Sequence, residues 1–264
     1  MKATELHLSR LRQYTEEKRK QGQHIREFWC DSNPIRLMHF PPQKLENTVI
    51  LKEDTFVELG NPSKGSSALV VWSDNLSLIK DGHITIIGPT MQESEGLSLP
   101  LGQAIVVGGE ELTDNHYPEL EAAQFKPDPI EGYMLRSVPN RIWSRISKEA
   151  VGRGFCFEIL GQSLMASFKR KFPIIQATEI IFVTSGREDI AQFDAIAEGM
   201  RKFSGELKKL VRQGDDTYEC TVFECSTCDN ESVCNAIREW IVLRRKATSK
   251  EVEYVNKPHQ PIGS

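Results

Sequence analysis

Four cysteines crowd into fifteen residues of this 264-residue chain, with the spacing C-x4-C-x2-C-x5-C. They are Cys220, Cys225, Cys228 and Cys234. Thiolates repel one another and oxidise readily, so a cytosolic protein rarely clusters them unless a metal or cluster takes up their charge. A C-x2-C pair brings two sulfurs to one metal centre, and the flanking thiols then complete a four-ligand set. The spacing therefore predicts a bound iron–sulfur cluster or zinc, and a disulfide pair or four inert thiols is the alternative.

Composition and charge narrow the class of protein. Apolar residues make up 39% of the chain and charged residues 27%, which is ordinary for a globular protein. The net charge of −4 does not favour a general nucleic-acid binder. No apolar run approaches the roughly 20 residues that span a bilayer, and the N-terminal sequence lacks the apolar stretch of a signal peptide. We therefore predict a cytoplasmic protein with no nucleic-acid or membrane partner, in which a reducing environment favours metal binding by the cysteines.

The pattern of the chain predicts an α+β fold with a β-rich first part and helices packed on a mixed sheet in the second part. We divide it into an N-terminal helical extension (1–32), a middle domain (33–212), a cysteine-rich metal-binding segment (213–245) and a loose tail (246–264). The apolar pattern of the extension predicts one helix over residues 4–28.

The middle domain is predicted in more detail from its apolar periodicity. Short strands, mostly antiparallel, are expected at 48–51, 55–59, 68–72, 84–87 and 104–107, with a hairpin at Asp81-Gly82. Pro139 is expected to open a helix that carries Ile142, Trp143 and Ile146 on one face. Further helices are predicted at 157–172, 188–211 and 232–245, and a strand at 179–184.

Trp143 lies close in sequence to three cations, Arg141, Arg145 and Lys148. An indole beside several cations suits a nucleotide or an anionic ligand through stacking and ion pairing. The alternative is that Trp143 shares a helical face with Ile146 and simply packs in the core.

No other motif in the sequence indicates a catalytic site. The six histidines are scattered, and the sequence contains no Walker loop and no nucleophile elbow. Cys30 and Cys156 are expected to be small buried hydrophobic residues.

Six segments, in order along the chain, resemble the acetyl-CoA synthase family, the beta subunit of the carbon monoxide dehydrogenase/acetyl-CoA synthase complex. The resemblance covers about residues 45–235, and the strings W-x-R-I-S-K-E-A and F-K-x-x-F-P-x-I are the most specific in combination. The segments are DGHITIIGP (81–89), LPLG (99–102), EGY (131–133), WSRISKEA (143–150), LGQSLMASFKRKFPII (160–175) and DTYECTVFECSTCDNESVC (216–234).

The resemblance implies a chemistry and a set of site residues. The family makes or cleaves acetyl-CoA at a nickel centre joined to an iron–sulfur cubane, using carbon monoxide, a corrinoid-borne methyl group and CoA. By resemblance, Cys225 and Cys234 fall where two cubane ligands would be, and Cys220 lies near the first. Cys228 is absent from the family pattern and could supply a fourth thiolate locally. Trp143 and Arg145 fall on a part of the family implicated in CoA binding, and with Lys148 they form the predicted CoA-binding set.

The sequence also departs from the family pattern. Family members continue for several hundred residues past this point, and this chain contains no Cys-x-Cys. We therefore expect an iron–sulfur protein without a complete nickel site, not self-sufficient as an enzyme, that serves as an accessory or electron-transfer subunit in anaerobic one-carbon or corrinoid metabolism. The expected centre is a [4Fe–4S] cluster, ahead of zinc and then [2Fe–2S], and the expected partner is a corrinoid protein or a carbon monoxide dehydrogenase-type subunit. The alternatives are a structural zinc module in an interaction protein and a CoA binder that completes a partner's active site.

Overall fold

The computed structural model describes residues 3–30, 49–94, 98–138 and 141–212. All of them belong to the first of two compact units, Met1–Asp215 and Asp216–Ser264. The four clustered cysteines, the helix predicted at 232–245 and the tail predicted at 246–264 lie outside the described residues, so these assignments stay predictions, as do the proposed domain limits. In the described ranges no helix is long and apolar enough to cross a membrane.

The described residues contain α-helices together with one mixed and one antiparallel sheet, which confirms the α+β class. The α-helices are α1 (Ala3–Lys20), α2 (Tyr117–Ala123), α3 (Lys148–Gly152), α4 (Phe157–Lys171) and α5 (Arg187–Arg212). The strands are β1 (Ile25–Trp29), β2 (Thr55–Leu59), β3 (Ser66–Ser73), β4 (His83–Ile87), β5 (Leu101–Gly108), β6 (Tyr133–Val138), β7 (Arg141–Ser147) and β8 (Ala177–Val183).

The larger sheet is mixed, with the strand order β1-β4-β8-β5-β3. β3 pairs with β5 and β4 pairs with β8 in parallel, and the other two pairings are antiparallel. Of the five pairings that β2, β3, β4 and β5 make, three are antiparallel, as predicted for most of this region, and two are parallel. The hairpin predicted at Asp81-Gly82 is wrong. Leu76–Leu78 is a single turn of 3₁₀ helix, and Gly82, at φ +72°, turns the chain into β4. β4 and β8 are buried along their whole length, as expected for strands covered on both faces.

Helices cover both faces of the larger sheet. On one face α5 lies over β5, where Gly102 leaves room for Phe193 and Ile190. α1 lies on the same face and packs on α5, with the Tyr14 and Phe193 ring centroids 6.0 Å apart. On the other face α4 comes close to β4 at Gly161. A Cβ at this position would lie only 2.6 Å from Ile84 Cδ1, so glycine allows the close approach. The main core is therefore built around the central strands β8 and β5.

The N-terminal segment contains a helix and a strand, so the helix predicted over residues 4–28 is confirmed as far as Lys20 and is wrong beyond it. α1 ends at Lys20, and Gly22 follows in the left-handed region at φ +77°, a conformation that glycine adopts without strain. β1 then pairs antiparallel with β4. Residues 49–54 form turns and irregular structure, so the described part of the strand predicted at 48–51 is also wrong.

A second, antiparallel sheet has the order β2-β7-β6 and carries the candidate site. It is joined to the larger sheet at Ile142, whose backbone N–H donates to Ser66 Oγ (3.0 Å) and whose carbonyl accepts from the same hydroxyl (2.5 Å). Gly60 ends β2 at this junction. A Cβ there would lie 2.1 Å from the Ile142 oxygen, and φ is +71°, so glycine allows the two strands to approach.

Candidate functional site

Trp143 lies on a strand, so the helix predicted to open at Pro139 is wrong over residues 141–147. Along β7 the buried residues alternate with more accessible ones, which places Arg141, Trp143 and Arg145 together on the outer face of the small sheet. The helix begins only at Lys148, as α3. Ser147 caps it, because its hydroxyl accepts from the Ala150 N–H at 3.1 Å.

The strand register brings cations and acids of neighbouring strands onto this outer face. Trp143 lies opposite Arg136 of β6, and Arg145 lies opposite Glu58 of β2. The Cζ atoms of Arg136 and Arg145 are 4.9 and 5.7 Å from the Trp143 ring, within the range of cation–π contact. Sequence reasoning found Trp143 and Arg145 but missed Arg136 and Glu58, which only the strand pairing could have revealed.

Arg145 is held in place by neighbouring acceptors. Its Nε donates to Glu58 Oε1 at 2.8 Å, and its Nη1 donates to the Ile50 carbonyl at 3.2 Å. Burial works to raise the pKa of the Glu58 carboxyl, but the hydrogen bonds from Asn61 and Arg145 outweigh burial, and the pKa lies below its usual value. Glu58 is therefore ionised at neutral pH and compensates the charge of Arg145.

Arg136 is the more available cation. It is exposed, and no acid in the described part of the chain forms an ion pair with it. Its guanidinium contacts the indole of Trp143 instead, and a cation–π contact at an exposed position is weak enough to be exchanged for an ion pair with a ligand. The net positive charge of this surface therefore comes from Arg136 together with Arg141, which is exposed on the same face and forms no ion pair with the described residues.

The accessible part of the indole is the feature that a ligand could use. Trp143 is only partly buried, so it is not a core residue of the kind that the packing alternative required. Its Nε1 is buried and has no hydrogen-bond partner among the described residues, so it does not face a ligand on this surface. The accessible part of the ring can stack with a planar group.

Lys148 lies elsewhere, at the end of β7. Its Nζ donates to the Glu53 carbonyl at 2.6 Å. Lys148 lines a cavity of about 480 Å³ with Ile50, Asp54 and Ser147, and Trp143 does not line that cavity. Of the three predicted CoA-binding residues, the structure thus brings Trp143 and Arg145 together and separates Lys148 from them.

The cysteines of the described residues are not arranged as a metal site. No group of three potential metal-binding side chains occurs in the described ranges. Cys30 and Cys156 are partly buried and pack against the core, and Cys30 Sγ lies 3.7 Å from Met165 Sδ. Burial, with a hydrogen bond to Glu158, raises the pKa of Cys156 to about 11. The predicted ligands Cys220, Cys225, Cys228 and Cys234 fall outside the described residues, and metal binding by them stays a prediction.

Residues 41–189, more than half of the chain, match the family model of the CO dehydrogenase/acetyl-CoA synthase complex beta subunit. The chain belongs to this family. The match includes both sheets from β2 onward and the whole Trp143 surface, so the family resemblance predicted from sequence is confirmed. It ends before the four clustered cysteines.

Relatives from three organisms show how far the similarity reaches. The acetyl-CoA decarbonylase/synthase complex subunit beta 1 of Methanosarcina thermophila is 29% identical over 196 residues, covering 72% of this chain and 40% of that protein. Subunit beta of Methanothermobacter thermautotrophicus is 30% identical over 187 residues, with coverages of 70% and 39%. The carbon monoxide dehydrogenase/acetyl-CoA synthase subunit alpha of Moorella thermoacetica is 27% identical over 231 residues, with coverages of 82% and 31%. The chain spans about two fifths of the length of the first two relatives and 31% of the length of the third.

Proposed function

We propose that this protein is an iron–sulfur member of the acetyl-CoA synthase family that serves as an accessory or electron-transfer subunit in anaerobic one-carbon or corrinoid metabolism. The observation that carries the proposal is the family match over residues 41–189, followed in the same chain by four clustered cysteines. Cys220, Cys225, Cys228 and Cys234 would hold one [4Fe–4S] cluster.

The donor set fits that group chemically. Four thiolates are the usual ligands of a [4Fe–4S] cluster, and a bound cluster supplies one-electron transfer. The same four thiolates also suit tetrahedral zinc, which would give a structural module without redox activity. Metal content separates the two possibilities.

Anaerobic purification of the full chain tests the cluster. We expect a brown protein with a broad band near roughly 400 nm and about four irons per chain. Cys225→Ser should abolish the chromophore, and the matched control Cys156→Ser should retain it because that thiol packs on the core. A colourless protein with about one zinc per chain would contradict the redox role. Nickel in the purified protein together with CoA-dependent carbonyl exchange would refute the accessory role.

A second function, CoA binding that completes a partner's active site, is favoured by the Trp143 surface. CoA offers an adenine that can stack on an indole and phosphates that can pair with a guanidinium. Arg136 is the available cation in contact with the indole, and Arg145 is already compensated by Glu58. The contacts of Trp143 thus suit the stacking and ion pairing that the sequence predicted, with Arg136 in the place that Lys148 was expected to take.

Titration with CoA, followed by tryptophan fluorescence, tests this second function. Trp143→Ala should lose the response, and Arg136→Met should weaken binding and reduce its dependence on salt. Trp29→Ala is the matched control, because Trp29 is 65% exposed and lies on the edge strand of the other sheet. An identical response in wild type and Trp143→Ala would exclude Trp143 from the site.

The proposed partner is a carbon monoxide dehydrogenase-type subunit or a corrinoid protein. Support for the first comes from the relatives, whose names describe them as subunits of such complexes. Mixing the purified chain with each candidate under anaerobic conditions and separating by size should give co-elution with one of them. Separate elution from both at micromolar concentration would contradict a stable assembly.

A further inference from the structure

We infer that Glu58 is a positioning residue of the Trp143 surface, which fixes Arg145 beside the indole and thereby keeps the indole in its ligand-binding position. The inference rests on the proposed binding of CoA at this surface. Glu58 lies on β2, one strand away from Trp143, and acts through Arg145.

Both carboxylate oxygens of Glu58 are engaged. Oε1 accepts from Arg145 Nε at 2.8 Å. Oε2 accepts from Asn61 Nδ2 at 2.8 Å and from Ser98 Oγ at 3.5 Å. The side chain of Glu58 is 16% exposed and that of Arg145 is 17% exposed, so water competes only partly for these bonds. A carboxylate used at both oxygens has little freedom to rotate away from Arg145.

Asn61 is itself oriented by the turn that follows β2. Its Oδ1 accepts from the Ser63 N–H at 3.0 Å and from the Ser63 hydroxyl at 2.8 Å. With the amide oxygen used in this way, the amide nitrogen points to Glu58 as a donor. The turn therefore fixes Asn61, Asn61 fixes Glu58, and Glu58 fixes Arg145.

Arg145 transmits this order to the indole. Its far end is bound to the Ile50 carbonyl at 3.2 Å, so the guanidinium is held at two points. Its Cζ lies 5.7 Å from the ring of Trp143, while Arg136 makes the closer contact at 4.9 Å. A held cation beside the ring limits the motion of the indole, and the compensated charge of Arg145 leaves Arg136 as the cation at the ring that attracts an anion.

Two effects of removing the Glu58 charge have opposite signs. Loss of positioning frees Arg145 and the indole, which should weaken CoA binding by about fivefold, the equivalent of one cation–π contact. Loss of negative charge alone makes the surface more positive, which should tighten binding of an anionic ligand. The sign of the change in affinity therefore separates a positioning role from a purely electrostatic one.

The test compares Glu58→Gln with Glu53→Gln in the full chain. Glu53→Gln makes the same change of charge at an exposed position nearby. The backbone carbonyl of residue 53 still accepts from Lys148 in this variant, so that hydrogen bond is unchanged. We expect weaker CoA binding in Glu58→Gln only, measured by calorimetry. Unchanged or tighter binding by Glu58→Gln would overturn the inference, as would equal weakening in both variants.

The same change made in the Arg145→Met variant shows whether Glu58 acts through Arg145. In Arg145→Met the additional change Glu58→Gln should cause no further loss of affinity, since the residue it positions is gone, and the removed negative charge should leave binding unchanged or tighter. A full additional loss in that background would overturn the inference. The ligand-free emission of Trp143, obtained by difference from Trp143→Phe, should also change in Glu58→Gln and not in Glu53→Gln. This emission needs no CoA, so it tests the positioning role even if wild type fails to bind CoA and the proposed CoA site is wrong.

Discussion

Arg12→Met should destabilise the larger sheet by removing the partner of a buried carboxylate. Glu179 of β8 has no exposed surface, and the guanidinium of Arg12 on α1 contacts both of its oxygens. The remaining neighbours are the Lys80 N–H, which donates to Oε2 at 3.2 Å, and His83 Nδ1, 3.7 Å from Oε1. Without Arg12 the carboxylate would stay buried with only these weaker partners.

The expected loss of stability follows from the burial of the two partners. Breaking a buried ion pair by removing one partner costs about 3–5 kcal/mol, because the other charge is left uncompensated. Arg12 retains 30% exposure, so water already screens part of its interaction. We therefore expect the lower end of the range, about 3 kcal/mol in the free energy of unfolding at pH 7.

This loss should depend on pH in a defined direction. Burial alone would raise the pKa of Glu179, but hydrogen bonds from Arg12 and His83 outweigh it and the pKa is lowered. The wild-type contribution is therefore complete above the unfolded-state pKa of about 4.3 and is lost as the pH falls through the lower folded-state pKa. Without Arg12, desolvation dominates and protonation relieves the cost, so the difference between the two proteins should shrink as the pH falls from 7 toward about 4.5.

Urea denaturation followed by circular dichroism at pH 7 and pH 4.5 measures both quantities. Arg10→Met is the matched control, since Arg10 lies on the exposed side of the same helix. Adding Glu179→Gln to Arg12→Met should recover much of the lost stability, because the uncompensated charge is removed. A loss below about 1 kcal/mol, or the same loss at both pH values, would refute the assignment of a buried, charge-compensated pair.

Three further outcomes follow from local geometry. Gly60→Ala should lower the free energy of unfolding by at least about 2 kcal/mol in thermal unfolding, because φ is positive and the new Cβ meets a β7 carbonyl. Gly154→Ala, also at positive φ but in open space, should lower it by only about 1 kcal/mol. Equal losses would contradict the close approach at Gly60. Cys156 in the native protein should react with iodoacetamide at pH 8 much more slowly than in urea, by mass spectrometry, because its pKa is raised to about 11; equal rates would contradict its burial. Lys148→Met should leave the affinity for CoA unchanged, since its ammonium group is bound to a backbone carbonyl, and weaker binding would restore Lys148 to the site.

Sequence periodicity predicted the long helices well. The predictions at 157–172 and 188–211 correspond to α4 and α5, whose apolar residues recur at helical spacing and face the sheet. The strand predicted at 179–184 is β8, displaced by two residues at its start. These elements can be predicted from the local sequence, because the residues that each of them buries recur at a regular spacing close together in the chain.

The same reasoning failed where partners distant in sequence decide the structure. Ile142, Ile146 and Ala150 are spaced for a helix, but Ser144 is also buried and completes the alternation of a strand. A buried serine hides that alternation from a count of apolar residues. β6 and β2 supply the backbone hydrogen bonds of β7 on both sides, which no local pattern records.

The candidate site shows the same limit in its chemistry. Trp143 and Arg145 were found because they are close in sequence, and on a strand residues two apart lie on the same face. Lys148 was included because it is close in sequence to Trp143; on a strand of rise about 3.3 Å per residue it lies beyond the end of the face. Arg136 takes the place expected for Lys148, because the strand register sets it opposite Trp143. The register also sets Glu58 opposite Arg145. The wrong prediction of a helix thus placed Lys148 instead of Arg136 beside Trp143, and concealed the acid that compensates Arg145.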